Sequence, residues 1–323
     1  MGRVLAEDDP AASPVRVKAL EGMGWLTQMQ GDYERAKATY KEMLELSREL
    51  SDKGNVATAL NSLGTVAAQK GDNERARALL QENLEVLGEL EEEGNSATRL
   101  KRFHALNLLG YLAINEEDDY ARGTALWEES LALARELGDT DRIGIMLSNL
   151  GHPALLQGDF ERARALSEEA LAFANDELGS SGVEFAPTAF LNLGLALLGM
   201  GEHERAAASF EQALAMCQQM GRKPQAIEIM EGMASLGGAV REATRAARLW
   251  GAAEGAREVT GIALPPGERA MHEPYLAAAR SKLGEAGWQR AWKEGHAMTF
   301  EEAVAYSLKD DQARSNRPGG ERG

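Results

Sequence analysis

The five histidines and the single cysteine are the side chains of this chain best suited to do chemistry, as metal ligands, general bases or a nucleophile. No two histidines stand at the spacing of a metal site, and His272-Glu273 lacks the second histidine of a zinc-protease motif. Cys217 lies beside Met216 on an apolar helical pattern, with no partner base in the sequence. The residues therefore predict no metal site and no catalytic centre.

The phosphate-binding loops of nucleotide enzymes are also missing from the sequence. The nearest approach, Gly221-Arg222-Lys223-Pro224, lacks the framing glycine and the hydroxyl of a GxxxxGK[ST] loop. We therefore expect no cofactor. An enzyme stays open as an alternative, and it requires polar groups with shifted pKa values that converge on His104 or His152.

The composition excludes several classes of partner. The 323 residues carry 35 Lys+Arg against 51 Asp+Glu, a net charge of −16, whereas nucleic acids and anionic membranes are bound by basic surfaces. No stretch reaches the roughly 18 apolar residues of a membrane span. One cysteine rules out a disulfide framework and fits a reducing compartment. We expect a cytoplasmic protein without direct contact to nucleic acid or membrane.

A six-residue phrase recurs along the chain and reveals the elements that must position these side chains. It reads Gly-Asp-Tyr-Glu-Arg-Ala at 31–36 and returns with substitutions at 71–76, 158–163 and 201–206. A second phrase precedes each copy and contains a small residue. These small residues recur at intervals of 40 to 46 residues, at Gly24, Gly64, Gly110, Gly151, Gly194 and Ala234.

Each repeat has the pattern of a helical hairpin. The glycine of the Gly-Asp pair ends one helix, and the aspartate caps the next. Leu60 and Leu63 on the first helix, and Leu80 and Leu84 on the second, have helical spacing. A single hairpin cannot bury its own apolar face, so neighbouring hairpins must stack on it. The sequence therefore predicts an all-α solenoid.

The repeat resembles the tetratricopeptide repeat, which has small residues at its eighth, twentieth and often twenty-seventh positions. Gly151, Ala163 and Ala170 fit this pattern, as do Gly194 and Ala206. The resemblance implies a right-handed superhelical solenoid of about six such hairpins, with a helical cap at its C-terminal end. It also implies that the first helices line a concave groove that binds proteins or peptides.

The breaks in the pattern suggest four segments. Ser13-Pro14 has the form of a helix start, and the run Leu264-Pro265-Pro266-Gly267 ends the repeats. The segments are a flexible leader at 1–12, the solenoid at 13–262, the helical cap at 263–309 and a disordered tail at 310–323.

Polar side chains next to the small markers are the expected groove contacts. In the tetratricopeptide family an asparagine at the sixth repeat position often holds the main chain of a bound peptide, and Asn149 and Asn192 occupy that position. Asn61 and Asn107 stand one place earlier. The alternative is that the asparagines link adjacent repeats as structural ladders. The predicted groove residues are Asn61, Thr65, His104, Asn107, Tyr111, Asn149, His152 and Asn192.

The C-terminal stretch carries a narrower resemblance. The segments 245–254, 264–269 and 292–304 are similar to the end of the repeat region in large bacterial signal-transduction ATPases that regulate transcription, including LuxR-type regulators. This resemblance implies a sensor module whose ligand is a protein, an extended peptide or, as the alternative, a small-molecule inducer. The nucleotide and DNA binding of such regulators is not carried over, since their motifs are missing from this sequence.

The acidic residues concentrate on the second helices of the repeats, for example at Glu42, Glu45 and Glu49. The predicted groove residues are instead Asn, Thr, His and Tyr. We therefore expect an acidic outer surface that keeps the protein soluble and a nearly neutral groove.

Overall fold

A computed structural model describes residues 13–90, 95–115, 119–174, 182 and 184–309. The predicted leader and tail lie outside these residues. The described residues form fourteen helices and no strand, and none of these helices is long and apolar enough to cross a bilayer. The helices are α1 Ser13–Met29, α2 Tyr33–Glu49, α3 Lys53–Gln69, α4 Asn73–Gly88, α5 Ser96–Asn115, α6 Tyr120–Leu137, α7 Thr140–Leu156, α8 Phe160–Ala174, α9 Ala186–Gly199, α10 His203–Met220, α11 Lys223–Ala239, α12 Ala243–Thr260, α13 Pro266–His296 and α14 Phe300–Lys309.

The chain divides into two compact units, Met1–Arg142 and Ile143–Gly323. In the first unit, α1 pairs with α2, α3 with α4 and α5 with α6, and each hairpin packs on the next. In the second unit, α9 pairs with α10 and α11 with α12, and α13 packs on both α11 and α12. The predicted all-α solenoid of stacked hairpins is confirmed.

The turns within the hairpins follow the repeated Gly-Asp pair. Gly31 and Gly71 have positive φ angles of 76° and 74°, a backbone conformation that glycine adopts without steric cost. Asp32 then caps α2 by accepting a hydrogen bond from the backbone N–H of Arg35. In the sixth hairpin, which has lost the pair, Arg241 adopts the same conformation with a φ of 65°. The sixth hairpin therefore keeps the geometry of the turn although it lacks the Gly-Asp pair.

The small markers allow the two helices of a hairpin to approach closely. A Cβ atom on Gly110 would lie 2.5 Å from the indole ring of Trp127, and one on Gly194 would lie 2.5 Å from the ring of Phe210. Both ring positions are on the second helix of the same hairpin. A larger residue at either glycine would force the helices apart.

The hairpins of the first unit share one apolar core. Leu20, Tyr40, Met43, Leu60 and Leu80 come from its first four helices and belong to a single buried cluster. Burial of each large side chain contributes about 1.5–3 kcal/mol. Because this burial depends on neighbouring hairpins, the fold is stabilised by stacking, as in other repeat proteins.

The predicted cap is helical. Two consecutive helices are predicted between residues 268 and 296, and α13 covers this range with a kink at Gly284, where φ is 65°. Trp288, in the part of α13 after the kink, is buried. Thr299 and Glu302 form the predicted capping box: the Glu302 N–H donates to the Thr299 hydroxyl at 3.2 Å, and the Thr299 N–H donates to the Glu302 carboxylate at 2.9 Å.

Candidate binding faces

In each unit the first helices of the hairpins leave one stripe of side chains partly open. On α5, Lys101, His104 and Tyr111 are three and seven residues apart, which places them on one side of the helix. His104 is exposed and Tyr111 is 50% exposed, whereas their neighbour Phe103 is buried. We call this stripe the front face of the unit. In the first unit it includes the predicted residues Asn61, Thr65, His104, Asn107 and Tyr111.

Lys101 crosses the front face of the first unit from one hairpin to another. Its Nζ donates a hydrogen bond to the carbonyl of Gly54, at the start of α3, at 2.5 Å. Burial lowers the pKa of Lys101, and the charge of Asp52 opposes this shift. The lysine was not among the predicted residues, and it links α5 to α3 beside His104.

His104 lies at the open centre of this face. Burial lowers its pKa, the charge of Arg142 adds to the shift, and Asp139 opposes it. A histidine with a lowered pKa is mostly neutral at pH 7, so its ring has one donor and one acceptor nitrogen. His104 is therefore suited to pair with polar groups rather than to supply charge.

Other predicted residues of the first unit take part in hydrogen bonds within their own hairpins. The hydroxyl of Thr65 donates to the main-chain carbonyl of Asn61 at 3.0 Å. The carbonyl of Asn107 accepts a hydrogen bond from the indole nitrogen of Trp127 at 3.0 Å. All three of these predicted residues keep part of their surface open. His104, Asn107 and Tyr111 therefore share one side of α5, and Asn61 and Thr65 hold the corresponding repeat positions on α3.

In the second unit one of the predicted residues is buried. Asn192 is 2% exposed, and its Nδ2 donates to the carbonyl of Ser148 on α7 at 2.8 Å. This bond joins adjacent first helices, as the ladder alternative describes, so Asn192 is not open to a partner. Asn149 stays partly exposed on the same helix as Ser148. We assign Asn192 to packing between hairpins and leave it out of the binding face.

His152 lies opposite a carboxylate of the cap. Its Nε2 is 3.6 Å from Oε1 of Glu268 on α13, and the two side chains are 28% and 20% exposed. Burial lowers the pKa of His152 to about 4. The distance alone is that of an ion pair, but the lowered pKa leaves the imidazole neutral at pH 7, and we take the contact as polar rather than ionic.

A buried ion pair lies next to this contact. Arg257 on α12 donates from Nε to Oε1 of Glu231 at 2.6 Å and from Nη2 to Oε2 at 2.8 Å, and Nη1 donates to the carbonyl of Ala263 at 3.2 Å. Arg257 is 7% exposed and Glu231 is 1% exposed. Two parallel hydrogen bonds of this kind are strong and directional. The guanidinium is thereby committed to partners inside the protein.

Two further carboxylates surround the same arginine. Burial raises the pKa of Glu228 to about 7, the charges of Glu268 and Glu231 add to the shift, and Arg257 opposes it. Burial also raises the pKa of Glu268. Within the described part of the chain, Glu228 makes no hydrogen bond or ion pair. We call Glu228, Glu231, Arg257, Glu268 and His152 the Arg257 cluster.

A serine–histidine pair is buried behind the cluster. Ser235 Oγ and His272 Nδ1 are 2.8 Å apart, which is the distance of a nucleophile and its base. Ser235 is 0% exposed, His272 is 4% exposed and packs against Trp250, and burial lowers the pKa of His272 to about 4. No substrate reaches a hydroxyl buried in this way, so the pair supports packing.

The described residues give little support for metal binding or for catalysis. No group of three or more His, Cys, Asp or Glu side chains in the described ranges could hold a metal ion. Burial raises the pKa of Cys217 to about 11, which keeps it a thiol at neutral pH. Polar groups with shifted pKa values do converge at His152, as the enzyme alternative requires. They lack a reachable nucleophile among the described residues, and they are suited to holding a charged group.

A cavity lies at the edge of the cluster. It has a volume of about 420 Å³ and is lined by Arg257, Arg269, Glu254 and the aliphatic residues of the loop before α13. No aromatic residue lines it. A closed pocket lined by aromatic residues would favour the alternative of a small-molecule inducer. This cavity is not such a pocket.

The Arg257 cluster was missed although its register was visible in the sequence. Glu228 stands six residues before the marker Ala234, as His104 stands six before Gly110. The sixth repeat has no Gly-Asp turn, and the predicted groove residues include none from its first helix. The expectation of a nearly neutral groove did not take Glu228 and Glu231 into account.

Comparison with known proteins agrees with the hairpin geometry. Two stretches, residues 16–89 and 189–235, match family profiles of the tetratricopeptide repeat. One stretch lies in each unit. No curated protein sequence matches the chain at a significant level.

Several solved structures share the fold. BtubC of P. vanneervenii is 22% identical, with a TM-score of 0.57 over 66% of this chain and 84% of that protein. A Signal Transduction ATPase with Numerous Domains from Pyrococcus horikoshii, which has a tetratricopeptide repeat sensor, is 18% identical, with a TM-score of 0.62. PilF of Pseudomonas aeruginosa is 16% identical over 88% of this chain, with a TM-score of 0.50. At identities of 16–22% these likenesses show a common fold and nothing about function.

The ATPase from P. horikoshii covers 91% of this chain, but the chain spans only 44% of that protein. The helical hairpins, the two matched stretches and this likeness agree with one another. The chain thus contains tetratricopeptide repeats in the two matched stretches, and its fold is similar to that of a signal-transduction ATPase described as having a tetratricopeptide repeat sensor.

Proposed function

We propose that this chain is a non-enzymatic sensor module that binds an extended segment of a partner protein on the front face of its first unit. Tetratricopeptide repeats imply a protein-interaction scaffold. The observation that carries the proposal is the front face of the first unit, where His104 and Tyr111 are exposed and Asn107 is partly exposed on one side of α5. These side chains can donate and accept hydrogen bonds without bringing charge.

The chemistry of this face suits a peptide main chain. A carboxamide such as that of Asn107 donates and accepts together, which matches the N–H and C=O of an extended peptide. Tyr111 adds a half-exposed aromatic ring with a polar tip, the type of residue that often anchors an interface. Main-chain hydrogen bonds would give affinity, and the ring would select a side chain of the partner.

Signalling or transcriptional regulation in the bacterial cytoplasm is the setting that we favour. Support comes from the likeness to a signal-transduction ATPase described as having a tetratricopeptide repeat sensor. The acidic composition and single cysteine fit a cytoplasmic setting. Nucleotide and DNA binding are not part of the proposal.

Site-specific photo-crosslinking tests this proposal. A benzophenone amino acid replaces Tyr111 on the front face or, as the matched control, Glu49, an exposed residue of the second helix α2. Crosslinking in the native cell followed by mass spectrometry identifies the attached peptides. We expect one partner segment to be attached at position 111 and absent at 49. Equal attachment at both positions, or none at 111, contradicts the proposal.

A further inference from the structure

We propose that two copies of this chain pair through their α1 helices, which lie antiparallel to each other. This interface is separate from the front face that carries the proposed function. Five of the nine large apolar side chains that are exposed in the described residues belong to α1, namely Val15, Met23, Trp25, Leu26 and Met29. Trp25 has the repeat position of Tyr111 and belongs to the front face, and the other four make one side of α1 apolar.

The repeat register shows that this apolar side is the one on which hairpins stack. Leu26 stands two residues after the marker Gly24, as Val66 and Leu112 stand two residues after their own markers. Leu26 is 54% exposed, whereas Val66 and Leu112 are 1% and 2% exposed. The same contrast holds between exposed Ala19 and Met23 and their buried counterparts Ala59, Leu63, Ala105 and Leu109.

The counterparts are buried because a preceding hairpin covers them. The second helix α2 packs on α3, and α4 packs on α5. Within the described elements α1 packs on α2 and α3, and its stacking side stays exposed. A further helix that packed on this side would continue the stacking that the first unit already uses between its hairpins.

An open apolar end is unfavourable for a repeat protein. Terminal hairpins of solenoids carry a polar outer face, which keeps the end soluble. The open apolar surface of α1 is on the order of 500 Å² per copy, comparable to the largest patches on single-chain proteins. Two copies would together bury on the order of 1,000 Å², the area from which specific interfaces begin.

The order of side-chain sizes along α1 indicates a second copy as the occupant. Ala19, Gly22, Leu26 and Met29 follow one another at spacings of three and four residues, and we call them the α1 stripe. The first two are small and the last two are large. In an antiparallel pair Leu26 of one copy lies against Gly22 of the other, and Met29 lies against Ala19. The stripe is therefore complementary to itself, as a two-fold interface requires.

Gly22 gives independent support for the close approach of another helix. It lies in the interior of α1, where glycine costs about 1 kcal/mol relative to alanine. A Cβ atom on Gly24 would clash with the ring of Tyr40, so that glycine is explained by its own hairpin. A Cβ atom on Gly22 would meet no atom within 4 Å. No contact inside the chain accounts for this glycine, whereas a helix seated on the stripe does.

Charge does not oppose this pairing. The chain carries a net charge of −16, which disfavours contact between two copies over most of its surface. The stripe has no charged residue, and α1 has two basic residues, Arg16 and Lys18, against one acidic residue, Glu21. Arg16 is paired with Glu42 of α2 at 2.6 Å. The exposed surface of α1 is thus close to neutral, unlike the acidic second helices.

Sedimentation equilibrium of the full chain tests the pairing. We expect the mass to rise with concentration from that of one chain to that of two. Leu26→Lys places a charge on the stripe and should raise the dissociation constant at least tenfold. Val259→Lys is the matched control, because Val259 is also an exposed apolar residue in the last turn of its helix, and it should associate as the wild type does. Circular dichroism should show the same helicity in all three proteins.

Disulfide trapping tests the orientation of the two helices. Ala19→Cys and Met29→Cys chains are oxidised mildly, separately and as a mixture, while the native Cys217 is buried. We expect linkage between the two variants in the mixture and little linkage of either variant with itself. In the antiparallel pair the two copies of position 19 lie about 15 Å apart along the helix axes, too far for a disulfide.

Three results would overturn the inference. A wild type that keeps the mass of one chain at every concentration would leave the stripe to another occupant, such as a different protein. Association of Leu26→Lys as strong as that of the wild type would place the contact elsewhere. Linkage of Ala19→Cys with itself, and not with Met29→Cys, would exclude the antiparallel pair. Crosslinking at Tyr111 tests the proposed function separately, because Tyr111 is not part of the stripe.

Discussion

On the front face of the first unit, His104 and Asn107 are uncharged and partly open, whereas the second unit places Glu228 and Glu231 at the same two repeat positions. Glu231 is fully buried by its pairing with Arg257. The repeat register thus fixes where a side chain points. What packs against the face decides whether that side chain is open or enclosed.

The cap helix accounts for the difference. In the second unit α13 packs on α11 and α12, and Glu268 from its first turn faces His152. Enclosure lowers the local dielectric, which strengthens charge interactions and shifts pKa values. The first unit has no comparable helix among its described elements, and His104 stays exposed. The two faces therefore differ in charge and in enclosure.

The largest effect should come from breaking the buried pair. Arg257→Ala should lower the free energy of unfolding by about 3–5 kcal/mol, because it leaves the carboxylate of Glu231 buried and uncompensated. The matched control is the exposed pair of Arg248 and Glu294, where Arg248→Ala should cost no more than about 1 kcal/mol. Chemical denaturation measures both. Similar losses in the two variants would mean that the Arg257 pair is not enclosed.

A smaller loss is expected from the asparagine that joins hairpins. Asn192→Ala should lower the free energy of unfolding by about 1–3 kcal/mol, since it leaves the buried carbonyl of Ser148 without its hydrogen bond. Asn61→Ala should change it by less than about 0.5 kcal/mol, because the Oδ1 atom of Asn61 accepts no hydrogen bond from the described residues. If both substitutions cost the same, the asparagines of the two units have one structural role.

The pH dependence of stability sharpens the contrast further. The folded pKa of Glu228 is raised from 4.5 to about 7, so its contribution to stability is present in full below pH 4.5 and is lost as pH rises through 7. Allowing for its partial exposure, we expect the wild type to lose on the order of 1–2 kcal/mol relative to Glu228→Gln between pH 4.5 and 8. Thermal melts of the two proteins across this range measure the difference. If the stabilities of the two proteins changed with pH in parallel, the Glu228 carboxyl would be solvated and its pKa would not be raised.

The smallest effect on stability is expected at the open face. His104→Ala with Tyr111→Ala should change the free energy of unfolding by no more than about 1 kcal/mol, because His104 is exposed and Tyr111 is 50% exposed. Binding of the crosslinked partner segment should nevertheless fall at least tenfold, as measured by calorimetry. Unchanged binding would remove both residues from the site.

The sequence predicted the hairpins well because their determinants are local. The spacing of Gly110 and Trp127 within one hairpin, and the Gly-Asp turn with its cap at Asp32, act over a few residues to one repeat. The same register underlies the front-face residues of the first unit, whose role in binding stays a prediction. These features require no knowledge of distant contacts.

The Arg257 cluster could not be predicted in the same way. Burial of Glu231 depends on Arg257 from the next helix, and the shift at Glu228 depends on Glu268 from the cap. The fate of Asn192 depended likewise on a carbonyl 44 residues earlier in the chain. A repeat pattern gives the position of such residues but not the helix that encloses them.

Hydrogen exchange of the full chain with and without its crosslink-identified partner segment tests the central claim most directly. We predict slower exchange in α3 and α5, the first helices that carry the front-face residues of the first unit, and unchanged exchange in the second helices α4 and α6. Protection confined to the second helices would contradict binding at the front face.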